Sequence, residues 1–139
     1  MEIRWLATAL IACCSTSCAV NSTARADAEI LYIPLSLATY TAVTVDNIGA
    51  EGSCELNAAS KDFLWLFQLE ISTGHEFDKH NVRAKIRLGS TDFYVDSNGV
   101  VLTPNGFIGL STIEKSKLIS SLETLRKASS CDQYDWIDD

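Results

Sequence analysis

The alternation from Val82 to Leu88 constrains what this chain can fold into more than any other feature of it. Val82, Ala84, Ile86 and Leu88 are apolar, and Arg83, Lys85 and Arg87 between them are cationic. A period of two makes a strand with one face to bury and one to solvate. Gly89-Ser90 follows, and glycine first in a two-residue loop predicts a type II′ hairpin, whose twist matches that of the strands it joins. With that loop, Leu88 faces Thr91, Arg87 faces Asp92, Ile86 faces Phe93, Lys85 faces Tyr94, Ala84 faces Val95 and Arg83 faces Asp96. Each arginine then meets an aspartate and apolar meets apolar, an agreement that a slip of one residue destroys. A further turn at Asn98-Gly99, the favoured type I′ pair, returns Val100 to Thr103 alongside Phe93 to Ser97, so the stretch predicts a three-stranded meander.

The cationic stripe could serve phosphate, but the chain as a whole cannot. It carries 18 acids against 11 Lys and Arg, a net charge of −7, and lacks the basic footprint that nucleic-acid binding needs. The arginines are read as register-setting surface pairs, and an acidic surface favours solubility and basic partners.

At the N-terminus, Leu6 to Cys14 is a short apolar run followed by small and polar residues ending in Ala24-Arg25-Ala26. This predicts a secretory signal over residues 1–26, cleaved after Ala26 with Ala19 as the fallback, and a single domain over 27–139. The apolar run is too short to span a bilayer, and no later stretch is long and apolar enough. Leu10-Ile11-Ala12-Cys13 is like a bacterial lipobox, so a lipid anchor at Cys13 is the alternative to free release into the periplasm. Removing Glu2, Arg4 and Arg25 with the signal leaves 17 acids against 9 bases, a balance of −8. Cys13, Cys14 and Cys18 leave as well, and the remaining pair, Cys54 and Cys131, most simply forms one disulfide in an oxidising compartment.

Between these landmarks the signals are mixed. Ala28 to Leu35 is apolar with Pro34 inside it, which reads as an edge strand at best or a lead-in. Residues 36–48 have strand composition but helical spacing at Leu35, Ala38, Ala42 and Val45, and the spacing favours helix. Gly49 to Ala59 reads as a turn-rich connector carrying Cys54. Ser60 is placed to cap a helix through Leu69 or Ile71, and the cluster Phe63, Trp65, Leu66, Phe67 and Leu69 is expected to cover the meander. Phe107 to Leu110 can add a short strand, and Ser111-Thr112-Ile113-Glu114 is a capping box opening a helix to about Lys127 with Leu118, Ile119, Leu122 and Leu125 as its buried stripe. The expectation is an α+β fold, an antiparallel β-meander of about three to four strands covered by two to three helices and carrying one disulfide.

Chemistry is harder to find. His75 and Glu76 begin like HExxH, but the second histidine, His80, falls at i+5 and on the wrong helical face for a shared zinc. A loop could fold His75, Asp78 and His80 round one ion; the simpler reading is solvated loop residues. Asp96 to Gly99 lacks the alternating acids of a calcium loop. No nucleophile elbow, phosphate loop or paired-carboxylate motif is present, so no catalytic residue, metal or cofactor is expected. The tail from Asp132 mixes four aspartates with Tyr134, Trp136 and Ile137 and reads as packed, disordered or a partner anchor.

The signal segment, the acidic domain with Cys54 and Cys131, the run RLGSTDFYVDSNGVV and the capped helix STIEKSKLISSL together resemble small periplasmic immunity proteins against type VI secreted peptidoglycan amidases. The resemblance covers about the last two-thirds of the chain and implies a protein that blocks the cysteine-histidine cleft of a basic cell-wall hydrolase with a loop. It brings no residue motif, so candidate partner-binding residues rest on expected exposure: Ser97, Asn98 and Gly99, the turn at Asn105 and Gly106, and His75, Asp78 and His80. A homodimer is compatible with this reading, and an envelope adaptor anchored at Cys13 is the competing one.

Overall fold

The computed structural model describes residues 28–133. The signal segment with Cys13 and Ala19, and the tail from residue 134, lie outside the described residues.

Six antiparallel strands form one sheet in the order β2-β1-β3-β4-β5-β6. They are β1 (Ala28–Tyr32), β2 (Cys54–Ala58), β3 (Val82–Leu88), β4 (Thr91–Asp96), β5 (Val100–Thr103) and β6 (Gly106–Gly109). The expected meander is the β3–β6 half, and β1 and β2 extend it on the free side of β3. This corrects two readings. Ala28 to Leu35 is not an edge: β1 lies between β2 and β3, with Ile30 opposite Ile86 and Tyr32 opposite Ala84. Pro34 falls beyond the last paired residue, so its missing N–H costs the ladder nothing. The connector Gly49 to Ala59 contains β2, whose Cys54, Leu56 and Ala58 are buried while Glu55 and Asn57 face solvent.

The β3–β4 hairpin keeps the expected register from Leu88↔Thr91 to Ala84↔Val95, and Gly89 supplies a φ of +60° at the turn. It departs at the far end, where a bulge sets Val82, not Arg83, against Asp96. A bulge inserts one residue and re-aims its neighbours. Arg83 is therefore buried, and its guanidinium donates to the carbonyls of Val82 and Leu37, both at 3.2 Å, instead of meeting Asp96. Burial lowers its pKa, opposed by the charge of Asp78. The turn after β4 also differs. With Val95 opposite Val101, β4 and β5 are joined by a three-residue loop, Ser97-Asn98-Gly99, in which only Gly99 has positive φ, at 83°. A type I turn closed by a glycine has this form, and the Gly99 N–H donates to Asp96 O at 3.1 Å.

One helix, α1 (Thr112–Ala128), carries the expected capping box, with the Ser111 hydroxyl accepting from the Glu114 N–H and the Glu114 carboxylate accepting from the Ser111 N–H. Leu118 and Leu122 are buried against the inner sheet face, in one cluster with Ile30, Leu56, Ile86, Phe93, Val95, Val101 and Ile108. Ile119 and Leu125 are only half-buried. The aromatic segment sits on the same face but is not an α-helix. It forms two 3₁₀ turns, Ser60–Asp62 and Leu64–Gln68, and Ser60 makes no side-chain cap. With apolar residues at nearly every position, an α-helix here would have no polar side to expose. Three residues per turn instead aligns Phe63 with Leu66 on one buried face. Trp65 lies under the Lys117 ammonium, 4.6 Å from the ring centre, and ties this segment to α1.

Residues 36–48 form neither helix nor strand beyond one isolated bridge, Val43↔Asn81. Asn47 is the reason: its side chain accepts from Thr44 N at 2.6 Å and donates to Ala42 O at 3.0 Å, satisfying locally the groups that a helix would use. The loop covers part of the outer sheet face, where Ile33, Val43, Ile48 and Val82 make a second, smaller core.

A polar bridge joins sheet and helix. The Tyr32 hydroxyl donates to Glu123 at 2.7 Å, and Arg126 Nε donates to the other Glu123 oxygen at 2.9 Å. Burial and the adjoining carboxylate hold the Tyr32 hydroxyl protonated far above the usual tyrosine range. Burial raises the Glu123 pKa, but the bonds from Tyr32 and Arg126 outweigh it and the net direction is down. A depressed carboxyl contributes stability above its unfolded pKa and loses it as pH falls through the folded value. Tyr32→Phe is expected to cost about 1–2 kcal/mol near neutrality, and the stability it loses on acidification through the carboxylate range should be smaller than the native loss. Urea denaturation at a series of pH values measures both.

Candidate protein-docking site

Beyond Gln68 the chain becomes extended, with Leu69 at φ −71° and ψ 137°. It runs along the outer edge of β6. Ser72 N–H donates to Phe107 O at 3.3 Å, and the Ser72 hydroxyl accepts from Gly109 N–H at 2.8 Å. The His75 ring lies so close on Gly109 that a Cβ there would overlap it. Ile71 packs over Gly106, 3.4 Å from where a Cβ would stand, and Gly106 itself has a φ of +145°, which disfavours any other residue.

Between this segment and the β5–β6 turn lies an open groove of about 400 Å³. Leu66, Phe93 and Ile108 are its buried floor, Phe67, Leu69 and Ile71 form one side, and Thr103, Pro104 and Asn105 form the other. Phe67 meets Phe93 edge to face at 5.0 Å between ring centres. Even so, Phe67 remains 52% and Ile71 55% exposed. Phe107, on the outer face beside the groove, is also exposed and stacks on Phe77 at 6.1 Å.

Of the residues singled out in the sequence, Asn105 lines this groove and Gly106 underlies Ile71. His75 lies at the other end of the same edge, on Gly109. Asp78, His80, Ser97, Asn98 and Gly99 gather at that end of the sheet around one buried carboxylate. Asp96 is fully buried and accepts from the backbone N–H groups of Asp78, Asn98 and Val100 at 2.8 to 2.9 Å. Ser97 N–H donates to Asn81 O, closing the same junction. The Asn81 amide and then the His80 N–H, both bonded to Asp78, lower the pKa of its carboxyl. Asn98 is exposed, but Gly99 is buried beneath the Lys115 side chain, whose ammonium donates to Asn98 O at 3.1 Å. His75, Asp78 and His80 do not gather round one point, and among the described residues no group of three or more His, Cys, Asp or Glu could hold a metal ion.

Phe67 and Ile71 were not among the candidate partner-binding residues: the sequence reading put Phe67 in a helix as part of the apolar cluster over the meander, and Ile71 at that helix's possible end. For Ile71 the signal was present, since Leu69 and Ile71 alternate with Gln68 and Glu70, the period of an extended segment; Phe67 lies in the 3₁₀ turn before it. Set against known protein families, curated proteins and solved structures, the chain matches none of them. The fold and the groove define a class, an α+β domain with a surface groove flanked by exposed apolar side chains, and among the described residues no helix is long and apolar enough to cross a membrane.

Asp96→Ala is expected to destabilise by about 2–4 kcal/mol, because it takes the acceptor from three backbone donors, the buried Val100 N–H among them. Asn98→Ala, which removes an exposed side chain from the same loop, should stay within about 0.5 kcal/mol. Equilibrium denaturation of the two variants distinguishes a structural junction from a tolerant loop tip.

Proposed function

We propose that this protein is an exported, periplasmic protein-binding domain that acts as an immunity protein, inhibiting a basic cell-wall hydrolase of the peptidoglycan amidase class. The observation that carries the binding part is the groove with Phe67 and Ile71 exposed on its side. Large apolar side chains left half in water beside a preformed hollow release about 1 kcal/mol each when a partner covers the remainder, and aromatic anchors of this kind dominate protein interfaces. The acidic balance of the chain supports a basic partner, since complementary charge speeds encounter. The amidase class comes from the resemblance to immunity proteins.

Cys54 and Cys131 belong to this reading as a disulfide formed on export. They lie within 2.6 Å of one another, in the same apolar cluster as Leu56 and Leu122. Their closure would tie the end of α1 to β2 and contribute up to about 4 kcal/mol by restricting the unfolded chain. Thiol titration of denatured, unreduced protein from the periplasm should find neither cysteine reactive.

The direct test is capture from envelope extract followed by assay of the captured hydrolase on peptidoglycan. A single basic amidase, retained at high salt and inhibited by the protein, is the expected result. Failure to retain one, or retention without inhibition, removes the reading. Phe67→Asp and Ile71→Asp should each weaken capture by at least about tenfold with little change in melting temperature, since both side chains are more than half exposed.

A further inference from the structure

The two edges of the sheet are treated differently. The outer edge of β6 is closed by Ser72, which takes one backbone donor and gives to one backbone acceptor, and by His75 on Gly109. Among the described residues the outer edge of β2 has no such cover. β2 pairs only with β1, and among the described residues nothing is hydrogen-bonded to the outward backbone groups of Glu55 to Ala58. An edge of that kind is a template for another strand.

We infer that β2 pairs with β2 of a second copy of this chain across a two-fold axis perpendicular to the sheet, joining two six-stranded sheets into one. Such an axis keeps inner face with inner face, so the pairing must centre on a residue and not between two. Three centres fall within β2. Centring on Glu55 sets that carboxylate directly against its own copy. Centring on Asn57 sets Glu55 against Ala59, beyond the end of β2, and shortens the ladder to three residues. Centring on Leu56 uses all five residues: Cys54 faces Ala58 of the other copy, and Glu55 faces Asn57, twice. An amide can donate to a carboxylate across such a pair, and no like charges meet.

The neighbouring rows agree with this register. On the outer face Asn57 stands beside Glu29, and Glu29 beside Arg87, which holds Asp92 at 2.8 Å. The new neighbour Glu55 extends that row by one more residue separated from Glu29 by a neutral amide. On the inner face the buried Leu56 of one copy meets Leu56 of the other, so the apolar row is continued. The contact is isologous, as a closed dimer requires.

Sedimentation equilibrium of the exported chain, residues 27–139, across a concentration series tests this, with circular dichroism as the check on folding. The native chain should approach twice the mass of a single copy. Asn57→Glu places a carboxylate opposite Glu55 at both pairs and should weaken the dimer by about tenfold or more without loss of the far-ultraviolet spectrum. Adding Glu55→Lys to Asn57→Glu puts Lys against Glu at both pairs and should restore the dimer. A native chain that stays monomeric at about millimolar concentration, or an Asn57→Glu dimer as tight as the native one, overturns the pairing; so does a double variant no tighter than Asn57→Glu alone.

Discussion

The β3 strand is the constraint on which the rest of the structure depends. It is paired on both sides, with β1 across Ile86↔Ile30 and with β4 across Ile86↔Phe93, so one alternation of apolar and polar residues sets the faces of three strands at once. Ala84, Ile86 and Leu88 direct the inner face to α1 and the 3₁₀ turns, and Lys85 and Arg87 direct the outer face to Tyr94, Asp92 and Glu29. Where the alternation breaks, at the bulge of Val82 and Arg83, the sheet ends and the loops take over. That break buries two charged residues in one neighbourhood, Arg83 and Asp96, each hydrogen-bonded to backbone groups and not to the other. The Nε of Arg83 is left without a partner among the described residues.

How much of this could be read beforehand follows from the range of the interactions involved. The β3–β4 register and the capping box of α1 are local, and both were legible because neighbouring residues decide them. The β1–β3 ladder joins residues 52 to 60 positions apart, and nothing near Ala28 announces a partner. β2 did carry its own sign, since Cys54-Glu55-Leu56-Asn57-Ala58 alternates as a strand does. The glycines before it drew the reading toward a turn. Arg83 was misplaced because a bulge needs the third dimension to be seen: its sequence neighbours fit a regular ladder, and its burial under Leu37 does not appear in the alternation.

The groove was half legible for a similar reason. Asn105 and Gly106 were found from turn chemistry, which is local. Phe67 and Ile71 were not, because a dense apolar run normally marks a core, and here the 3₁₀ geometry sends Leu64 and Phe67 outward while Phe63 and Leu66 face in. An exposed phenylalanine beside a preformed hollow, set in an acidic domain, is the arrangement on which the account of a protein-binding function rests.

Hydrogen exchange on the isolated chain and on its complex with the captured hydrolase measures that account most directly. The account predicts slowed exchange for amides from Leu66 to Ser72 and from Thr103 to Ile108 in the complex, with the outer face near Asn57 and Glu55 unchanged. Protection that appears elsewhere while these two segments exchange as in the free chain would contradict it.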